Sequence, residues 1–323
     1  MKKSIIPCVL IFVALLGTAC EKVIEFDGEI TEPRLTLSAK ALTGEPFRVY
    51  VASSVFFLNT RGDRRAYTET LDTLRGEIRC FVNDDRTGKR MVLQPEDEGY
   101  ASYCYLAEDY VPAPGDHIRL EAEFPGFDPV WVETDVPLLP RLEIVSMGEW
   151  TLMEQNGGWG DLDYYQVEMT LRVTDDGSYD KYYCLQPFAV YSFEPAEMDL
   201  EEGLRFRSTD IIFQQMDASA LEDLFDFETE TELTGGYFSD RFFKGKSYTF
   251  KILLIRVPAP ETLKKLGLRI STVNESLYWF DLSYSKLQNE VSFFSEGVTL
   301  YSNVHGGYGI LGAAASSWLE VER

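Results

Sequence analysis

Histidine is nearly missing from this chain, at two in 323 residues. With it goes most of the usual equipment for acid–base chemistry and metal ligation. His117 begins an alternating segment beside Asp116, where a turn or edge role is expected. His305 lies between Asn303-Val304 and Gly306-Gly307. Cysteine is scarce too: only Cys80, Cys104 and Cys184 follow Cys20, too few for a disulfide framework. A Cys80–Cys104 bridge is one option, and buried free thiols are the expectation. No grouping of these cysteines with the histidines has metal-ligand spacing. The nucleophile elbow Gly-x-Ser-x-Gly, the zinc motif His-Glu-x-x-His and a phosphate-cradling glycine loop ending in Lys-Ser or Lys-Thr are all missing. Neither a catalytic residue nor a cofactor or metal site is therefore expected. Basic residues are outnumbered, with 30 Lys and Arg against 53 Asp and Glu and a formal charge of -23. Such a surface repels phosphate backbones and argues against nucleic-acid binding.

Long apolar runs are also missing, except at the start. Lys2 and Lys3 precede an apolar stretch from Ile5 to Leu16, broken only by Pro7, and Gly17, Thr18 and Ala19 lead to Cys20. This order is that of an export signal, and the stretch is short of the roughly 20 residues that cross a bilayer. Small residues followed by cysteine resemble a bacterial lipobox, with Gly17 where Leu is usual. That resemblance implies cleavage after Ala19, acylation (palmitate among the chains) on Cys20, and attachment to a membrane through lipid. Residues 1–19 are then a lipoprotein signal peptide and residues 20–33 an acidic tether.

The chain beyond the tether is rich in short alternating segments. Leu35 to Ala39, Phe47 to Val51, Glu77 to Val82, Arg90 to Leu93, Tyr100 to Leu106 and His117 to Phe124 are separated by Gly, Pro, Asn and Asp turns. Ile118, Leu120, Ala122 and Phe124 share a face. This pattern predicts an antiparallel, immunoglobulin-like β-sandwich over 34–137, ending near Pro137 and Pro140. A larger β-rich domain is expected over 138–323. Tyr165, Val167, Met169, Leu171 and Val173 share one face of a long strand there, and Tyr182–Phe193, Arg205–Gln214 and Tyr248–Val257 supply further β segments. Ser219 to Phe225 could form a short helix. The main helix is expected near 275–288, with Asn274 or Ser276 as cap and Leu277, Phe280, Tyr284 and Leu287 as its buried stripe.

Few residues invite a chemical role. Asp161, Asp163, Asp175, Asp176 and Asp180 could gather oxygens for calcium, but their spacing matches no EF-hand and Asp175-Asp176-Gly177-Ser178 suits an ordinary turn. Trp159, set among glycines, is a candidate binding residue because an exposed indole supplies apolar area or stacks on a ring. Asn303, His305 and Tyr308 in the late glycine-rich loop are further binding candidates, although a loop threading close to a sheet is the simpler account.

The C-terminal third carries a resemblance. Tyr278-Trp279, Tyr284-Ser285-Lys286-Leu287-Gln288, Phe293-Phe294-Ser295-Glu296-Gly297-Val298 and Tyr301 through Gly312, above all Asn303-Val304-His305-Gly306-Gly307-Tyr308-Gly309-Ile310, resemble the ending of a Bacteroidetes lipoprotein family. The family is known as domain of unknown function 4249. Leu311 stands where an aromatic is usual, and His305 sits inside the glycine loop. The resemblance implies an outer-membrane lipoprotein associated with a TonB-dependent receptor, helping nutrient capture or uptake, with a small nutrient as a further partner. It supplies no catalytic residues. Glu21 and Glu25 beside Cys20 are compatible with either membrane face. The leading reading is a non-enzymatic accessory that binds ligand or receptor. The alternatives are an envelope glycoside hydrolase using an unmarked carboxylate pair, and a purely structural envelope protein.

Overall fold

Strict alternation of apolar and polar residues places one face of each segment against a core, and the segments assemble accordingly. The computed structural model describes residues 32–54, 76–83, 85–95, 103–107, 109–155, 163–193, 198–213, 232–289 and 299–321. The leader, Cys20, nearly all of the tether, the segment of Ser219 to Phe225, and Trp159 lie outside the described residues.

In chain order the first strands are β1 (Leu35–Leu42), β2 (Arg48–Ser53), β3 (Glu77–Val82), β4 (Lys89–Arg90), β5 (Val92–Pro95), β6 (Tyr103–Leu106), β7 (His117–Glu123) and β8 (Val130–Asp135). They are followed by β9 (Arg141–Met147), β10 (Thr151–Gln155), β11 (Asp163–Thr174), β12 (Tyr182–Phe193), β13 (Met198–Gly203), β14 (Arg205–Arg207) and β15 (Gly236–Ser239). The last elements are β16 (Ser247–Pro258), β17 (Leu263–Val273), helix α1 (Glu275–Asn289) and β18 (Tyr308–Glu320). The protein is thus mostly β, and α1 is the α-helix among the described residues. No helix among them is long and apolar enough to cross a membrane.

A nine-stranded sheet, ordered β13-β12-β17-β18-β1-β2-β6-β5 with β15 also on β12, backs two separate cores. Its β1-β2-β6 part faces the four-stranded sheet β4-β3-β7-β8. Leu35, Leu37, Val49, Ile78, Ile118, Leu120 and Val132 fill the space between, and the shared face expected for Ile118, Leu120, Ala122 and Phe124 is buried there. The β12-β17 part faces the sheet β10-β11-β16-β14, with β9 also on β11. Here Val167, Met169, Leu171 and Val173 are fully buried against Phe250, Ile252, Leu268 and Ile270, while Tyr165 at the end of the stripe is only partly covered. Each such side chain contributes about 1.5–3 kcal/mol on burial.

Several expectations need correction. The described strands are not all antiparallel. β18 lies parallel to β1, from Thr36 opposite Tyr308 to Leu42 opposite Ala314, and antiparallel to β17 on its other side. Strands from before and after residues 137–140 therefore share one sheet, and β18 supplies Leu311 and Ala313 to the first core. Arg90 to Leu93 is not one strand. Met91, 3% exposed, turns into the core, so β4 pairs with β3 while β5 pairs with β6 in the opposite sheet. Beyond Arg207 the expected strand to Gln214 gives way to a turn at Ile211–Phe213.

The helix is rotated from the expected stripe. Leu277 and Tyr278 are buried and Leu282 is partly so, against Cys184, Val273 and Ala314, whereas Tyr284 and Leu287 are exposed. Two polar anchors set that rotation. Asn274 caps the helix by accepting the Leu277 N–H at 3.0 Å. Asp281 accepts the Tyr237 hydroxyl from β15 and the Lys40 ammonium from β1 at 3.2 Å, drawing its own side of α1 onto the sheet. Trp279 turns outward and bonds Glu275.

Candidate functional site

The glycine-rich loop after α1 is wedged between the two sheets of the first sandwich. Its Asn303 is fully used: Nδ2 donates to the Leu311 carbonyl and Oδ1 accepts the Leu311 N–H, each at 3.0 Å. A side chain at Gly309 (φ +113°) would stand 1.8 Å from the Leu37 carbonyl oxygen, and one at Gly307 would stand 2.4 Å from that of Leu35. Only hydrogen fits there, which lets β18 enter beside β1.

His305 is exposed and joins β8 through paired backbone hydrogen bonds with Trp131, at 2.8 and 3.2 Å. Its ring stacks on the Trp131 indole, with centroids 3.9 Å apart and planes at 9°. The Arg119 guanidinium also lies over the Trp131 ring, 4.4 Å from its centroid, and pairs with Glu121 and Glu133. Tyr308, 44% exposed, carries Arg34 5.7 Å from its ring centre. Of the expected candidates Asn303 and His305 lie in this loop and Tyr308 opens β18 directly after it, with Asn303 occupied in holding the backbone. Trp131 is a member that sequence reading misses. Its signal is local: a tryptophan at an outward position between buried Val130 and Val132.

Beside this loop lies an open cavity of about 440 Å³, lined by Gly76, Glu77, Arg90, Glu123, Phe124 and Phe127 among others. Pro129 joins the two features, since it lines the cavity and its carbonyl oxygen abuts Gly306. Glu77 and Glu123 stand directly opposite each other on β3 and β7. Glu77 is bound at 2.7 Å by Arg79, whose hydrogen bond holds that carboxyl below the usual range. Neither the Arg90 guanidinium nor the Glu123 carboxylate forms an ion pair within 4.0 Å among the described residues. No residue-type pattern marks this site; it arises because β4, β3 and β7 become neighbours.

The acidic turn considered for calcium is filled by a lysine. Asp175, 4% exposed, accepts the Lys181 ammonium at 2.7 Å, the N–H groups of Gly177 and Gly245 at 2.7 and 2.6 Å, and the Tyr183 hydroxyl at 3.3 Å. Burial opposes its ionisation, but these donors win and hold its carboxyl below the usual range. Asp176 accepts the same ammonium, and Asp180 pairs with Lys244. The cluster ties two turns together, and its cation is built in. His117 pairs with Asp135 at 2.7 Å on the outer face of β7–β8. The cysteines Cys80, Cys104 and Cys184 are buried and none is in a disulfide, so the Cys80–Cys104 bridge does not form.

One family model matches residues 21–318 and carries the description domain of unknown function (DUF4249). Comparison with curated proteins returned no match.

Proposed function

Because the chain belongs to the DUF4249 family, we propose that it is a non-enzymatic outer-membrane lipoprotein, anchored through Cys20, that assists TonB-dependent nutrient capture or uptake by binding ligand or receptor. The family is one of Bacteroidetes outer-membrane lipoproteins associated with TonB-dependent receptors. The observation that carries the reading is the extent of the match. It begins at residue 21, directly after the cysteine proposed as the lipid site, and runs through the glycine-rich loop. The body is read as an immunoglobulin-like sandwich whose sheet extends into a second one, a rigid frame that holds the loop and cavity at one end. Exposed Tyr308 beside Arg34, and exposed His305 stacked on the Trp131 ring that also carries Arg119, offer the mixture of ring and cation common at binding surfaces.

A second reading has one observation in its favour: Glu77 and Glu123 face each other at an open cavity, as glycosidase carboxylates do. Arg79 holds the Glu77 carboxyl below its usual range, so in such a pair Glu77 would be the ionised partner and not the acid.

The deciding experiment is crosslinking in intact cells of the native host, followed by purification under gentle detergent. Recovery of an outer-membrane barrel with the protein supports the proposal. Consistent recovery alone, or a mature terminus without acyl chains by intact mass, overturns it.

A further inference from the structure

We infer that the end of the first sandwich where the tether joins the body rests on the lipid surface, with Arg34 on a headgroup phosphate and Tyr308 at the headgroup boundary. The inference rests on the lipid anchor proposed at Cys20 and adds the face that the body turns to the bilayer. Three observations carry it. First, the chain enters the body here. Arg34 leads into β1, and the start of β18, the His305 loop and the turn before β8 surround it. Thr36 lies opposite Tyr308, a side chain at Gly307 would meet the Leu35 carbonyl, and one at Gly306 would meet that of Pro129. The fourteen residues from Glu21 to Arg34 span at most about 50 Å. β1, with eight residues, is about 26 Å long. The anchor therefore keeps the body at the bilayer but leaves either end of the sandwich within reach, and the side chains decide.

Second, the side chains at this end are of the interfacial kind. Tyr308 is 44% exposed with the Arg34 guanidinium 5.7 Å from its ring centre. Arg34 forms no ion pair within 4.0 Å among the described residues. The phenol offers an amphipathic ring to the headgroup boundary, and the guanidinium offers charge-assisted hydrogen bonds to phosphate. Trp131, His305 and Arg119 form a second group of rings and cation on this side, and Phe127 is partly exposed in the turn before β8.

Third, the two ends differ in how their acids are met. Beside the ring-bearing end carboxylates meet guanidiniums, Glu77 with Arg79 and Glu121 with Arg119. At the other end Asp85 is held by the Thr87 hydroxyl and N–H, and Asp116 by Asn83, Tyr110 and the Ala113 N–H. Those donors are neutral and leave the negative charge standing. Glu45, in the turn between β1 and β2, is exposed there as well. Lipid phosphate is repelled by that end and drawn to Arg34, which turns the ring-bearing end inward.

The test reconstitutes the mature lipoprotein into vesicles of phosphatidylethanolamine and phosphatidylglycerol that carry a headgroup-linked acceptor dye, after intact mass has established acylation. A donor dye is placed on Asp128→Cys beside the ring-bearing end or on Glu45→Cys at the other. Both positions are exposed, and Cys80, Cys104 and Cys184 are buried. The two positions stand about a β1 length apart, so energy transfer is expected to be at least about twofold stronger from position 128. Arg34→Glu combined with Tyr308→Ser should remove most of that difference while leaving the urea midpoint unchanged, since both side chains are exposed. Equal transfer from the two positions, stronger transfer from position 45, or a difference untouched by the double substitution overturns the inference. A photoreactive phenylalanine analogue at position 308 in the native host gives a second arm. Capture of lipid is expected, and capture of a barrel protein instead overturns the lipid surface in favour of the receptor. An unacylated terminus removes the anchor reading itself, whereas an acylated protein without this orientation removes only the membrane-facing end.

Discussion

Asn274 joins three elements that are far apart in the chain, and its replacement should unfasten all of them. Its Oδ1 accepts the N–H of Leu277 in the first turn of α1 and the N–H of Ala313 in β18, each at 3.0 Å. Its Nδ2 donates to the hydroxyl of Thr134 in β8, a residue only 6% exposed. Its backbone N–H continues the β17–β18 ladder, bonding the Ala313 carbonyl at 2.9 Å. In Asn274→Ala the backbone bond survives while the cap is lost, at about 1 kcal/mol. The Ala313 N–H and the Thr134 hydroxyl are left buried without that partner, at about 1–3 kcal/mol each. The Thr134 hydroxyl can rotate to another acceptor, so the expected total is about 2–4 kcal/mol. In Asn274→Asp both accepting bonds remain, the Thr134 hydroxyl can turn to donate, and a negative charge sits favourably at a helix start. That variant should lie within about 1 kcal/mol of the parent. Urea unfolding followed by tryptophan fluorescence measures both, with Tm moving about 2–4 °C per kcal/mol in a chain of this size. A cost below about 0.5 kcal/mol for Asn274→Ala, or equal damage from the two variants, would refute the account.

Lys181 sits 5% exposed between Asp175 and Asp176, so Lys181→Met strands a buried carboxylate and should cost about 3–5 kcal/mol by urea midpoint. The carboxyls of Asp175 and Asp176 lie below their usual range in the folded protein, so their contribution is present above about pH 4 and fades as pH falls. Stability of Lys181→Met should accordingly depend less on acid than that of the parent, which a pH series of unfolding curves checks. Asp240 has the opposite sign: burial raises its pKa, and its Oδ2 has no hydrogen-bond partner. Its contribution is present below about pH 4 and lost as pH rises through the raised folded value, so Asp240→Asn should gain stability over the parent with increasing pH. A difference constant from pH 4 to 8 would contradict this. The thiols of Cys80 and Cys184 are pushed up to about 12 by burial. Native protein at pH 8 should therefore react with an aromatic disulfide reagent only on the timescale of unfolding, and a rapid stoichiometric burst would show that these sites open.

The parts readable along the chain share a cause. Ile118, Leu120 and Ala122 alternate, and so do Val167, Met169, Leu171 and Val173, because a strand buries every second residue and writes that period locally. The main helix is legible in its extent and in Asn274 as its cap, but not in its buried face, since Tyr284 and Leu287 of the apolar stripe are exposed. The loop residues Asn303, His305 and Tyr308 stand out through their glycine setting. Trp131, Arg90 and Glu123 do not, because each is an ordinary residue until a strand from elsewhere comes to lie beside it.

Local alternation and turn residues suffice to indicate a mostly β protein with one principal helix near its end. They carry no information on which strand lies next to which. Folding inserts β18 between β1 and β17, divides the apparent strand around Met91 between two sheets, turns α1 toward Tyr237 and Lys40, and brings Arg90 and Glu123 to a common cavity. Each of these outcomes is set by contacts between segments distant in the chain. Such contacts are chosen by the fit and hydrogen bonding of whole faces, and no short stretch of residues encodes them.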